Sequence, residues 1–398
     1  MLRQGQIVRG KVSKLYPNNM AQIQLKNQTV IAKLEIPLTI GDRYHFQVHV
    51  SNQVLYLKVI GKKLKNQSKL DVPVLLKNLG VKNTEANRLF VQKLMVDGVP
   101  FEKTQLLQAL QLLEKYKDNE QVKDVLKELI QRRLPLTDSI FQAIYSKSTD
   151  NQSKLIRNLI NELQSQEKFT NAYTMLQSFV KPDPMLGNNN IEMKPKQLFL
   201  HHLHQFLSNS GLDYEYTIRQ QGDIHLPSIK GYLLQMLSMD GEHQIHAEKL
   251  LHHLNGMQLN TINETDNFIQ VNYNLPGEVL GLKKDLDLEL KSKKTKKGTI
   301  DPNYCRIYFY LELEYLHETI IDMHIQQRNV TITVYNNVEG LKERTFSLQK
   351  RLKSGLEKLN YHLTNVLFKP MPSESNITNT LSNKKYNPSN FTGVDFRI

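Results

Sequence analysis

The sequence predicts a multidomain α+β protein: an N-terminal small β-barrel, a central helical domain, and a C-terminal antiparallel sheet with packed helices. Three observations predict it. Apolar and polar residues alternate with a period of two through Ile60, recur with a helical period from Asp71 to about Phe179, and return to strict alternation after Phe268. A chain of 398 residues has material for two or three cores, and 39% hydrophobic against 23% charged residues fits folded domains rather than disorder.

Residues 1–66 read as a basic small barrel. Ile7, Arg9, Lys11 and Ser13 alternate with Val8, Gly10, Val12 and Lys14, and further alternating runs cover 21–25, 29–34, 43–50 and 54–60. Turns such as Pro17-Asn18-Asn19 and Gly41-Asp42 join them, and closure into a barrel removes the exposed edges. Residues 1–70 hold twelve basic side chains against Glu35 and Asp42, so most of the formal net charge of +13 sits here. These cations accompany Tyr16, Tyr44, Phe46 and Tyr56, and small barrels bind single strands through basic, aromatic faces. Lys11, Lys14, Lys33 and Tyr44 are the candidate nucleic-acid contacts. A solubilising surface or a site for an acidic protein explains the same charge.

Residues 71–180 read as a helical domain, with stripes at Leu106, Leu107, Leu110 and Leu113, at Val122, Leu126, Leu129 and Ile130, and at Leu155, Ile156, Leu159 and Leu163. Asn83 and Thr137 are candidate caps, and Asp97-Gly98 a stop. Residues 181–196, rich in proline and asparagine, read as a linker. The next domain spans 197–370. Its helices include His243 to Leu254, ended by Asn255-Gly256, and its strands include the alternating sets Cys305 to Leu313, Ile321 to Ile325 and Val330 to Val334. A helix carrying Leu348, Leu352, Leu356 and Leu359 is expected to cover the sheet's apolar face, before a last strand at 363–368. Residues 371–398 read as a flexible tail that Val394, Phe396 and Ile398 could pin.

Chemistry is sparse. No phosphate loop, dinucleotide fingerprint, zinc-protease helix or nucleophile elbow occurs, so no catalytic residue and no cofactor is expected. Cys305 falls within an apolar strand pattern and reads as a small buried hydrophobe. The groups His201, His202, His204 and His243, His246, His252, His253 lack carboxylates or thiols at ligand spacing; they read as solvated helix histidines, with no metal site. The run Lys291, Lys293, Lys294, Lys296 and Lys297 has no interleaved aromatic and reads as a solvated hairpin loop. No run approaches the roughly 20 apolar residues of a membrane span, which excludes membrane insertion. With one cysteine and no signal-peptide pattern at its start, the chain is expected to be cytoplasmic.

The apolar strands at Leu311 and Leu313, at Ile321, Met323 and Ile325 and at Val330 to Val334, followed by the leucine-striped helix 348–359, resemble the C-terminal domain of the flagellar hook-length control protein family. Tyr315 stands where that family has a proline, and Glu318-Thr319 where it has Leu-Gly. The layout ahead of this region is similar to hook-length-control-like proteins of low-GC Gram-positive bacteria. The resemblance implies an α+β fold and a protein partner, an export-gate-like cytoplasmic domain, with Lys350, Arg351 and Lys353 as candidate contacts. A first strand starting close to Met1 and no long low-complexity ruler lead to the expectation of a cytosolic, non-catalytic interaction protein rather than an exported ruler. The alternative is a nucleic-acid-binding protein acting through the barrel.

Overall fold

The computed structural model describes residues 2–25, 28–51, 54–60, 71–117, 119–164, 167–181, 195–221, 227–239, 245–264 and 267–372. Two compact units divide the chain, Met1–Phe141 and Gln142–Ile377. The expected tail beyond residue 372, most of the expected linker, and Lys62, Lys63, Lys65 and Lys69 lie outside the described residues.

In the first unit, β1 (Ile7–Tyr16), β2 (Met20–Gln24), β3 (Thr29–Leu34), β4 (Arg43–Ser51) and β5 (Val54–Ile60) close into a barrel of order β1-β2-β3-β5-β4. All pairs are antiparallel except β3 with β5. Val8, Val12, Ile23, Leu34, Phe46, Val48 and Leu57 fill the interior, as alternation demands. Gly10 also faces inward, where a Cβ would collide with Ile23 Cγ2, so the strands approach closely only because this position has no side chain. Helices α1 (Asp71–Leu79), α2 (Glu85–Val96), α3 (Lys103–Lys115) and α4 (Glu120–Arg132) complete the unit, together with the start of α5 (Asp138–Thr149). The barrel joins the helical part through backbone: Ile7 N–H donates to the Phe101 carbonyl at 2.7 Å. Thr84, rather than Asn83, caps α2, its hydroxyl accepting from Asn87 N–H at 3.2 Å.

The second unit holds α6 (Gln152–Leu163), α7 (Thr170–Val180), α8 (Pro195–Asn209), α9 (Tyr214–Gln221), α10 (Ile229–Ser238) and α11 (Ile245–Thr261). They precede a seven-stranded sheet of β6 (Ile262–Glu264), β7 (Phe268–Leu275), β8 (Leu286–Lys294), β9 (Ile300–Leu313), β10 (His317–Gln326), β11 (Asn329–Tyr335) and β12 (His362–Lys369). One apolar cluster joins Leu155, Leu159, Leu176 and Phe179 to Phe206, Leu233, Leu250, Leu254, Leu275 and Leu286. The core therefore runs across the expected boundary at 181–196, and α6 and α7 pack with the C-terminal sheet.

Four local expectations need correction. Asn255-Gly256 does not stop α11; Gly256 lies inside it, where a Cβ would strike the Ala143 carbonyl oxygen, so the glycine permits close helix packing instead of ending a helix. Lys291 to Lys294 belong to β8 rather than to a loop. His202 and His253 are buried rather than solvated, His202 Nε2 lying 2.8 Å from the Pro276 carbonyl oxygen. Last, α13 (Phe346–Glu357), which follows the short α12 (Leu341–Arg344), buries none of its residues fully. It links β11 to β12, which pair in parallel, and reaches the sheet's apolar cluster through Leu356 alone, leaving Leu348, Leu352 and Leu359 exposed. Cys305 is buried as expected, and burial raises its thiol pKa.

Candidate nucleic-acid interface

No acidic residue occurs in any of the five barrel strands. Strict alternation from Val8 through Val12 would turn Lys14 inward, among the apolar positions. The register of β1 against β2 shifts between Val12, opposite Ile23, and Lys14, opposite Gln22. This bulge at Ser13 inserts one residue and turns Lys14 to the outside. Across the outer face, one row runs Tyr16, Met20, Lys33, Tyr56, and the next runs Lys14, Gln22, Ile31. Tyr16 OH donates to Gln22 Oε1 at 2.9 Å, and Lys33 Nζ stands 5.9 Å from the centroid of the Tyr56 ring. The face thus combines two ammonium groups, two tyrosine rings and an exposed isoleucine. The three-residue turn beside it is tight, with Asn18 at φ 61° and Asn19 at φ 58° both left-handed and Met20 N–H donating back to the Pro17 carbonyl at 3.3 Å.

Of the sequence candidates, the structure puts Lys14 and Lys33 on this face. Lys11 stands one row further, between Gln24 and Arg43, at the mouth of a separate cleft. Tyr44 is not available for stacking: it points inward, is 6% exposed, and lies 6.0 Å from the Phe46 ring. Tyr16 and Tyr56 take its place, and their outward direction follows from register rather than from residue type.

In the second unit, Lys350, Arg351 and Lys353 are all exposed on α13, with Lys350 Nζ 5.7 Å from the Phe346 ring centroid. The lysines of β8 gain aromatic neighbours that their own strand lacks, because pairing with β9 brings Tyr304 to 4.6 Å from Lys293 and Tyr308 to 5.7 Å from Lys291. That face also carries the buried carboxylates Glu289, 2.8 Å from Lys291, and Asp322, bonded to Arg306 at 2.6 and 2.8 Å, so two of its cations have internal counter-ions. Among the described residues, no group of three potential ligands could hold a metal ion, and no helix is long and apolar enough to cross a membrane.

Residues 1–58 match the family model described as TP0910 S1-like domain. This span coincides with the barrel almost strand for strand. Over 120 residues the chain is 33% identical to "Uncharacterized protein YlqG" of Bacillus subtilis (strain 168), a match covering 30% of this chain and 20% of that protein. The chain therefore spans about a fifth of the length of that relative. No solved structure matches.

Proposed function

We propose that this is a non-catalytic, cytosolic protein that binds single-stranded nucleic acid on the outer face of its barrel. The observation that carries the reading is a face holding Lys14, Lys33, Tyr16 and Tyr56, on strands without an acidic residue, in a barrel that matches an S1-like model. Five-stranded Greek-key barrels bind oligonucleotides over strands 2 and 3 and the adjoining loops, which is where this face lies. Lysines would track the phosphates while tyrosine faces stack on bases, a combination indifferent to sequence. Fluorescence anisotropy of labelled single-stranded RNA and DNA with the full chain tests it. Tyr56→Ala is expected to weaken binding by roughly 5- to 100-fold, the range set by loss of one stacking contact. Lys14→Ser with Lys33→Ser should flatten the salt dependence by about 0.7 log unit per lost phosphate contact. Binding that ignores salt, or survives all three changes, would overturn the reading.

A second reading, docking of a protein such as an export-gate-like cytoplasmic domain, is favoured by α13. That helix leaves Phe346, Leu348, Leu352 and Leu359 exposed beside Lys350, Arg351 and Lys353. Charge reversal at Lys350 and Arg351 should slow association with an acidic partner and leave RNA binding unchanged.

A further inference from the structure

A cleft of 630 Å³ opens within the first unit, between the start of β1, the edge of β4 and the segment joining α2 to α3. Its volume falls in the range of about 300 to 1,000 Å³ typical of small-ligand sites. Arg9, Lys11, Arg43 and Arg133 line it with His45, and none of its lining residues is acidic. On the helices of this unit several cations are matched: Lys93 with Glu120 and Asp124, Lys115 with Asp138, Lys127 with Asp97, and Arg132 with Glu128. Among the described residues, Lys11, Arg43 and Arg133 have no such carboxylate. Arg132 is paired and its neighbour is not, because the helix ends there in a left-handed residue, Arg133 at φ 57°, which swings that side chain to the cleft.

His45 forms part of the cleft wall. Alternation turns it out of the barrel, but the cleft wall covers it to 3% exposure, and among the described residues its Nε2 has no hydrogen-bond partner. Burial, and then the charge of Arg9, lower its pKa to about 4, so at neutral pH it is an uncharged ring able to donate one N–H. Apolar residues line it as well, among them Leu2, Met95 and the exposed Val96.

We propose that this cleft binds a phosphate ester carried on a nucleoside-sized body, the phosphate held by Arg43, Arg133 and Lys11 and the body lying against Met95 and Val96. The site is separate from the barrel face, and its occupancy does not depend on that face binding a strand. A phosphate ester answers these unpaired cations: its oxygens accept bidentately from guanidinium groups, and Lys11 adds a third positive charge.

Isothermal titration of the full chain with adenosine monophosphate, adenosine and inorganic phosphate tests the proposal. The monophosphate is expected to bind more tightly than either fragment. Arg43→Gln with Arg133→Gln, both at exposed positions that the fold does not need, should weaken it at least tenfold. Lys33→Ser with Tyr56→Ala, which disable the barrel face, should leave it within twofold. A second arm compares oligonucleotides with and without a 5′-phosphate. A gain from the phosphate that disappears in the Arg43→Gln, Arg133→Gln chain assigns the cleft to a strand end; monophosphate binding without that gain assigns it to a free nucleotide. No monophosphate binding at millimolar concentration overturns the proposal. So does monophosphate binding that survives loss of both arginines, or that is lost with the barrel-face changes.

Discussion

Two helices of the second unit carry nearly the same leucine spacing and opposite fates. In α6, Leu155, Ile156, Leu159, Ile160 and Leu163 are all buried, in one cluster with residues of α7, α11 and the sheet. In α13, Leu348, Leu352 and Leu356 repeat every four residues, yet Leu352 is 37% exposed and Leu348 more so. The ends differ as well. Asn151 caps α6 by accepting from Lys154 N–H at 2.8 Å, and Asp285 accepts from Gln152 N–H at 2.8 Å and from the Ser153 hydroxyl. Thr345, before α13, makes no such cap, and its hydroxyl donates back to the Leu341 carbonyl at 2.9 Å. A stripe thus tells which side of a helix is apolar but not how much protein stands ready to cover it. Helix α6 lies among other helices; α13 bridges two parallel strands at the sheet's edge.

The sharpest way to break this comparison is to truncate equivalent leucines. Leu159→Ala, at a fully buried position, should cost about 2 to 5 kcal/mol, read as a lower denaturant midpoint with an unchanged slope. A cost near zero would mean that the α6 core is far more plastic than its burial indicates. Removing the cap comes next. Asn151→Ala should cost about 1 kcal/mol, because it leaves the Lys154 N–H without its side-chain acceptor at a helix end that holds the core. The smallest effect belongs to α13: Leu352→Ala should cost about 0.5 kcal/mol, and Lys350→Glu no more than that. A loss of several kcal/mol at Leu352 in the isolated protein would show that this face is covered in solution, and so collapse the contrast between the helices.

The barrel and the β8–β9 face offer a parallel contrast in charge. On the barrel face Lys14 and Lys33 stand beside tyrosines, and its strands hold no acidic residue, whereas on the β8–β9 face Lys291 lies 2.8 Å from Glu289 and Arg306 bonds Asp322. Cation and aromatic side by side is therefore not enough to mark a polyanion site; the absence of an internal counter-charge is what distinguishes the first face.

The sequence by itself determined the elements and their period. The five barrel strands and the longer strands of the C-terminal sheet are legible because a pleat with one buried side writes itself as alternation, and most helices because a turn of 3.6 residues does the same at longer range; β6, at three residues, and α9, at eight, are too short to show their period. Lys33 could be named from charge and strand pattern together, and Lys14 from charge alone, since strict alternation would have turned it inward. What the tertiary structure decided are matters that no local pattern encodes. Tyr44 rather than Tyr56 went inside because register, not residue type, assigns the faces. The bulge at Ser13 reversed Lys14, and Gly256 served a helix contact instead of a stop. Tyr304 and Tyr308 reached the β8 lysines only through strand pairing, and the cleft gathered Arg9, Arg43 and Arg133 from positions far apart in the chain. Each of these depends on which distant residue becomes a neighbour, and the free energy that decides it belongs to the packed whole rather than to any one segment.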